Sequence, residues 1–115
     1  MRSDDGVRLR HMLDAAREAV SFIQGKSRSR LEMDRELTLA LVKCIEIVGE
    51  AANRVTKKRR YELQEIPWPY IISMRNRLIH AYFDIDLDIL WNTVTLDLPP
   101  LIAELEKNIP HGHSS

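Results

Sequence analysis

The sequence has very little cysteine and no long apolar run. Its 115 residues contain one cysteine, Cys44, which excludes an intrachain disulfide and any zinc site built from several thiolates. No stretch approaches the roughly 20 apolar residues of a bilayer-spanning helix, and the charged N-terminal residues lack the apolar core of a secretory signal. Gly-rich phosphate loops, H-E-x-x-H zinc motifs and nucleophile elbows are also missing. We therefore expect a cytoplasmic protein with no membrane segment, metal site or cofactor.

The charge is balanced overall but unevenly placed. Residues 1–60 hold 14 Lys/Arg against 9 Asp/Glu, whereas residues 61–115 hold 3 against 8. A neutral chain can therefore present a basic face. A lone chain of this length buries only about two thirds of its unfolded surface, so pairing with a second copy would add apolar burial.

Hydrophobic periodicity predicts an all-α protein, an antiparallel bundle of four to five helices. It favours one domain over residues 1–110 with a flexible tail at 111–115. The helices are predicted over about 6–25, 29–55, 57–64, 69–82 and 87–109, the last kinked or interrupted at Pro99-Pro100. Alternation of period two never lasts over a strand length, so no sheet is expected.

Three helix starts and one apolar seam follow from particular residues. The predicted caps are Asp4 or Asp5 for the first helix, Ser29 with Glu32 for the second, and Asp84 or Asp86 for the fifth. A seam for helix packing follows the second helix, at Leu37, Leu41, Cys44, Val48, Ala51 and Val55. Cys44 lies on that seam, so we expect a buried thiol and not a nucleophile.

One segment, residues 74–84, is dense in polar chemistry. It reads Met-Arg-Asn-Arg-Leu-Ile-His-Ala-Tyr-Phe-Asp. Arg75 and His80 would lie about 140° apart on a regular helix, so one helix cannot aim both at the same atom unless it ends or distorts near His80. Two copies of the helix packed side by side could bring the two groups into a shared cleft, which suggests a dimeric site.

The chemistry of these residue types suits RNA. Histidine can remove the proton from a ribose 2′-OH and return one to the leaving 5′-oxygen. An arginine fork can hold the phosphate and stabilise its developing charge without a metal. Spacing alone favours a structural interpretation instead, in which His80 caps a helix terminus, Arg75 makes an ion pair and Tyr82 packs in a core.

The segment resembles the R-x4-H-x-Y motif of the HepT-like HEPN toxins. Arg75, His80 and Tyr82 match that motif without a gap. The flanks are similar as well: residues 47–54 look like the second-helix signature of that family, and residues 66–68 and 82–99 match the segments before and after the motif. The likeness covers roughly residues 7–109, and with these flanks it is specific.

This resemblance implies a metal-independent endoribonuclease toxin that acts as a homodimer, with the motif segments of two subunits lining one cleft. Arg75 and His80 would be the catalytic pair, and Asn76 would orient the site. The implied partner is a minimal nucleotidyltransferase antitoxin, which would transfer AMP from ATP to Tyr82. Phosphate-bearing groups beside Arg75 would block RNA and offer the arginine an anion.

Other charged residues have weaker signals. Lys57-Lys58-Arg59-Arg60 could bind RNA phosphates, with Arg54 and Arg77 extending that surface, but a solvated helix face explains the run equally well. Glu46 and Glu50 lie one turn apart, and we expect a surface or interhelical polar contact there in preference to a catalytic carboxylate pair.

A second function fits the same resemblance. The chain could be a non-catalytic helical module that docks a nucleotidyltransferase, or binds nucleotide or RNA without cutting it. The intact pair of Arg75 and His80 favours the nuclease, because a docking module would not require both residues.

Overall fold

The computed structural model describes residues 4–81 and 84–109. In this part of the chain the elements are α1 (Asp5–Phe22), α2 (Arg30–Met33), α3 (Arg35–Asn53), α4 (Lys57–Glu62), α5 (Trp68–Leu78), β1 (Ile79–Ala81), β2 (Asp84–Ile85), α6 (Leu87–Asn92), a π-helical segment (Thr93–Asp97) and α7 (Leu98–Asn108). The predicted all-α class is confirmed. None of the described helices has the length and apolar character of a membrane span, and the predicted tail at 111–115 lies outside the described residues.

The core forms where α1 and α3 pack together, with α5 against α3 and α7 against α1. The predicted seam of the second helix is confirmed, because all six of its residues are buried. Five of them belong to α3, and Val55 lies just beyond its end. Fully buried side chains from the neighbouring elements complete the core: Leu9, Met12 and Leu13 from α1, Ile71, Met74 and Leu78 from α5, Leu90 from α6, and Leu98 and Leu105 from α7. Helix α3 is therefore the central support for the motif-bearing α5.

The predicted cap of the first helix is wrong. Within the described structure Asp4 makes no side-chain cap, and α1 begins at Asp5 itself. The Asp5 carboxylate accepts hydrogen bonds from the backbone N–H and the hydroxyl of Thr56, at 3.0 and 2.7 Å. Asp5 is buried, so its charge needs such donors, and it ties the start of α1 to the residue that caps α4.

The predicted helix over 29–55 is divided at Asp34 and ends at Asn53. Asp34 has a non-helical backbone, and its carboxylate accepts the N–H of Leu37 at 3.0 Å, which makes it the cap of α3. Ser29 forms no side-chain cap at the start of α2 in the structure as described. The Thr38 hydroxyl donates to the carbonyl of Leu31 at 3.0 Å and fastens α2 to α3.

The expectation of no sheet is wrong, and so is the helix drawn through residue 82. Helix α5 ends at Leu78, and β1 pairs antiparallel with β2, with Ile79 opposite Ile85. The backbone N–H of Asp86 donates to the carbonyl of Leu78 at 2.7 Å and closes this turn of chain. Strands of two and three residues are too short for alternation to reveal.

The predicted interruption at Pro99-Pro100 takes the form of the π-helical segment just before it. Each proline lacks an N–H and its ring clashes with the carbonyl four residues earlier in an α-helix. A wider turn relieves this, and the N–H of Leu98 bonds to the carbonyl of Thr93, five residues back. The chain continues as helix to Asn108, so Leu105 still reaches the core.

Candidate active site

Gly49 lets the backbones of α3 and α5 approach closely. A Cβ atom at this position would lie 3.3 Å from the carbonyl oxygen of Ile72 and 3.6 Å from that of Ile71. A larger residue would push α5 away from α3. The close approach places the polar residues of both helices along one groove.

That groove holds two of the predicted site residues, Arg75 and Asn76. It is open, about 170 Å³ in volume, and lined by Glu46, Gly49, Glu50 and Asn53 from α3 and by Ile72, Arg75 and Asn76 from α5. Arg75 donates from Nε to Oε2 of Glu46 at 2.6 Å. The predicted interhelical contact of Glu46 is thereby confirmed. The Arg75 side chain is 47% exposed, so solvent and ligands can reach the guanidinium.

His80 lies beyond the end of α5, on strand β1. Its Nε2 is 3.2 Å from Oδ2 of Asp86, and its side chain is 52% exposed. The other carboxylate oxygen of Asp86, Oδ1, accepts the N–H of Ile89 at 3.0 Å and caps α6, so Asp86 is confirmed as the predicted cap. One carboxylate thus starts a helix and holds the histidine.

The surroundings of Asp86 favour its ionised form. The backbone N–H of Ile89 lowers the pKa of Asp86, and the neighbouring imidazole of His80 lowers it further. An ionised carboxylate can only accept hydrogen bonds. Sequence reasoning identified Asp86 as a cap and missed it as the partner of His80, because that contact depends on the β1–β2 pairing.

Arg75 and His80 are held by different carboxylates on different elements. No hydrogen bond or ion pair joins them among the residues described here; Glu46 engages one and Asp86 the other. Because α5 ends at Leu78, the 140° separation of a continuous helix does not apply. That angle therefore no longer argues for a second copy. Tyr82, the predicted modification site, lies outside the described residues.

The predicted RNA-binding residues have unequal surroundings. Arg77 stacks on the ring of Tyr70, 3.7 Å from its centroid, and Arg59 pairs with Glu62 at 3.0 Å. Three others, Arg54, Lys57 and Lys58, are exposed. Arg77 is exposed as well, whereas Arg59 and Arg60 are partly buried.

Arg60 has a structural role. Its guanidinium donates to the carbonyls of Val55 at 3.1 Å and Asn53 at 3.0 Å, at the carboxyl end of α3. It also lies 5.9 Å from the ring centroid of Trp68. Cations stabilise helix carboxyl ends in this way, so Arg60 has few donors left for RNA.

Other reactive groups do not form a centre. No group of three or more His, Cys, Asp or Glu side chains that could hold a metal occurs within residues 4–81 and 84–109. Cys44 is buried as predicted. Burial raises the pKa of its thiol to about 11, and the nearby Glu18 carboxylate adds to this effect, so the thiol is a poor nucleophile.

Comparison with known proteins matches residues 12–108 to the family described as "Ribonuclease HepT-like". A protein of Caldanaerobacter subterraneus subsp. tengcongensis, named "Putative RNase", is 35% identical over 101 residues, which is 88% of this chain and 87% of the relative. A "Probable ribonuclease HepT" of Thermococcus cleftensis is 39% identical over 74 residues, 64% of this chain and 67% of the relative. A "Putative RNase" of Methanocaldococcus jannaschii is 30% identical over 95 residues, covering 83% and 87%. No solved structure matches the chain.

Proposed function

The chain belongs to the HepT-like ribonuclease family, and on that premise we propose that it is a metal-independent endoribonuclease toxin that cleaves RNA with Arg75 and His80. The observation that carries the proposal is the setting of this pair. Both side chains are about half exposed, and each is anchored by its own carboxylate. Anchoring reduces the loss of conformational freedom when such groups are brought to a substrate, and exposure leaves both side chains within reach of RNA.

Arg75 binds the phosphate in this proposal. Glu46 engages its Nε, and no other partner of this guanidinium occurs among the described residues. Its two terminal nitrogens can therefore bind phosphate oxygens. These donors neutralise the charge that develops on phosphorus-bound oxygens in the transition state. Asn76, on the same groove, would orient the bound nucleotide.

His80 moves the proton. The neutral imidazole takes the proton of the ribose 2′-OH, the 2′-oxygen bonds to phosphorus, and the bond from phosphorus to the 5′-oxygen breaks. The imidazolium then gives its proton to the departing 5′-oxygen. Histidine is suited to both transfers near neutral pH.

The first experiment is RNA cleavage in EDTA. We expect the purified protein to cut total RNA, and Arg75→Ala and His80→Ala to lose the activity. Arg17→Ala is a matched control, because Arg17 has an interhelical ion pair with Glu106 at 2.7 Å and the same 47% side-chain exposure as Arg75. His11→Ala removes an exposed histidine of α1 and controls for His80.

Both control variants should cleave like the wild type. Absence of cleavage by clean, unmodified wild-type protein would contradict the nuclease. It would favour instead the non-catalytic module that docks a nucleotidyltransferase.

We further propose that the active form is a homodimer in which the two motif segments share one cleft. Mixing Arg75→Ala subunits with His80→Ala subunits tests this. If Arg75 of one subunit works with His80 of the other, mixed dimers contain an intact pair and recover part of the activity. If each chain works alone, the mixture stays inactive. Sedimentation of the wild type provides the oligomeric state independently.

The proposed partner is a nucleotidyltransferase antitoxin that attaches AMP to Tyr82. Intact mass after coexpression with such an enzyme should show AMP increments, and Tyr82→Phe should remove them. Tyr61→Phe is the matched control, because Tyr61 is an exposed tyrosine outside the motif. Increments that persist in Tyr82→Phe would contradict the assignment of that residue.

A further inference from the structure

Asp86 connects three elements at the motif. Its backbone N–H donates to the carbonyl of Leu78 at the end of α5, at 2.7 Å. One carboxylate oxygen, Oδ1, accepts the N–H of Ile89 in the first turn of α6. The other, Oδ2, is 3.2 Å from Nε2 of His80 on β1. Two of these contacts join Asp86 to backbone atoms of other elements. They fix the position of its carboxylate, whichever rotamer the imidazole of His80 adopts.

We propose that Asp86 is the positioning residue of His80: it holds the proton of the neutral ring on Nε2 and leaves Nδ1 as the atom that takes the proton from the 2′-OH. This inference rests on the proposed ribonuclease function for its substrate. It identifies Nδ1 of His80 as the proton acceptor, and it gives a positioning role to Asp86, which lies outside the R-x4-H-x-Y motif.

The assignment follows from the donors and acceptors at the site. Oδ2 of an ionised carboxylate can only accept, so the facing Nε2 must carry a hydrogen. A neutral imidazole has one N–H, so its lone pair then lies on Nδ1. When Nδ1 accepts the 2′-OH proton, the ring becomes a cation beside the carboxylate, which stabilises it. Return of that proton to the 5′-oxygen restores the starting tautomer.

The anchor also restricts the ring. His80 is half exposed on a three-residue strand, so few neighbours would hold its side chain in one rotamer. The hydrogen bond to Asp86 supplies the missing restraint, as an orienting carboxylate does for a catalytic histidine elsewhere.

Asp86→Asn is the informative variant. Asparagine caps helices about as well as aspartate, so its Oδ1 can keep the bond to Ile89. The amide nitrogen then faces His80, donates to Nε2 and moves the ring proton to Nδ1. The atom that should accept the substrate proton is thereby blocked.

Asp88→Asn is the matched control. Asp88 lies in the same first turn of α6 and also carries a negative charge, but it pairs with Arg28 at 2.5 Å and not with His80. Thermal unfolding followed by circular dichroism shows whether the variants keep their helices. Any general effect of lost charge near α6 should occur in both.

Two readouts are needed. The ¹⁵N chemical shifts of the His80 ring, recorded at alkaline pH, identify the protonated nitrogen. We expect Nε2–H in the wild type and in Asp88→Asn, and Nδ1–H in Asp86→Asn. In RNA cleavage we expect Asp86→Asn to lower kcat by about 10- to 100-fold, with little change in KM.

An Nδ1–H ring in the wild type, or equal kcat values for the two variants, would overturn the role of Asp86. The two proposals can fail separately. If no form of the protein cleaves RNA, the ribonuclease function falls, whereas the ring shifts still test whether Asp86 sets the tautomer of His80.

Discussion

Two carboxylates outside the motif contact its arginine and its histidine. Glu46 belongs to α3 and holds Arg75, while Asp86 begins α6 and holds His80. The two oxygens of Asp86 have different partners, because one faces His80 and the other caps α6. The motif side chains are therefore oriented by neighbours that come from other elements.

Cys44 is a reactive residue type whose position in the fold makes it unreactive. It is buried on the seam of α3, and burial raises the pKa of its thiol from 9.0 to about 11. The folded state therefore favours the protonated thiol. The contribution of the protonated thiol to the free energy of unfolding is fully present below about pH 9 and is lost as the pH rises toward 11.

We predict slow labelling of Cys44 in the folded protein. A thiol with a pKa of about 11 in place of 9.0 has a thiolate fraction about 100-fold lower at pH 8, and burial slows access further. The rate of reaction with a disulfide reagent should therefore be at least about 100-fold lower in native buffer than in guanidinium, where the same single thiol is its own control. Equal rates would show that α3 does not bury Cys44.

At the scale of elements, periodicity located the helices and missed several of their ends. The apolar residues of the α3 seam repeat every three to four positions, and this pattern can be recognised in the sequence because one face of the helix is buried. The break at Asp34 and the end of α5 at Leu78 follow from a cap bond and from a strand pair, respectively. Both involve backbone donors and acceptors, which the hydrophobic pattern does not encode.

Helix α3 allows a matched test of the core. Leu41 is 0% exposed and Leu39, two residues earlier, is 46% exposed. We expect Leu41→Ala to lower the free energy of unfolding by about 2–5 kcal/mol through lost burial and a cavity. Leu39→Ala should change it by no more than about 0.5 kcal/mol. Urea denaturation measures both, and similar losses would contradict the packing of α3.

Across the whole molecule, the uneven charge is partly neutralised within the fold. Arg17 of α1 pairs with Glu106 of α7, and Arg28 pairs with Asp88 of α6. These ion pairs join the basic first half of the chain to its acidic second half. Lys57 and Lys58 are exposed at the start of α4, and neither has an ion pair among the described residues.

We predict that these two lysines contribute to RNA affinity through charge alone. Each phosphate neutralised on a single strand contributes about 0.7 to the slope of log affinity against log salt. Lys57→Ala with Lys58→Ala should lower that slope by about 1.4, measured on a His80→Ala background so that RNA stays intact. Lys107→Ala is the control, because it removes a cation that is paired with Glu104, and it should leave the slope unchanged. An equal drop in slope for Lys107→Ala would contradict a specific role of Lys57 and Lys58 in RNA binding.

The sequence by itself determined the helical class, the buried face of α3 and the identity of the motif, because these depend on local spacing and residue type. Tertiary structure alone decided which side chains meet. Arg75 and Glu46 are 29 positions apart, and they touch because Gly49 lets two helices close on each other. His80 reaches Asp86 because a strand pair, too short to leave a sequence pattern, folds the chain back at the end of α5.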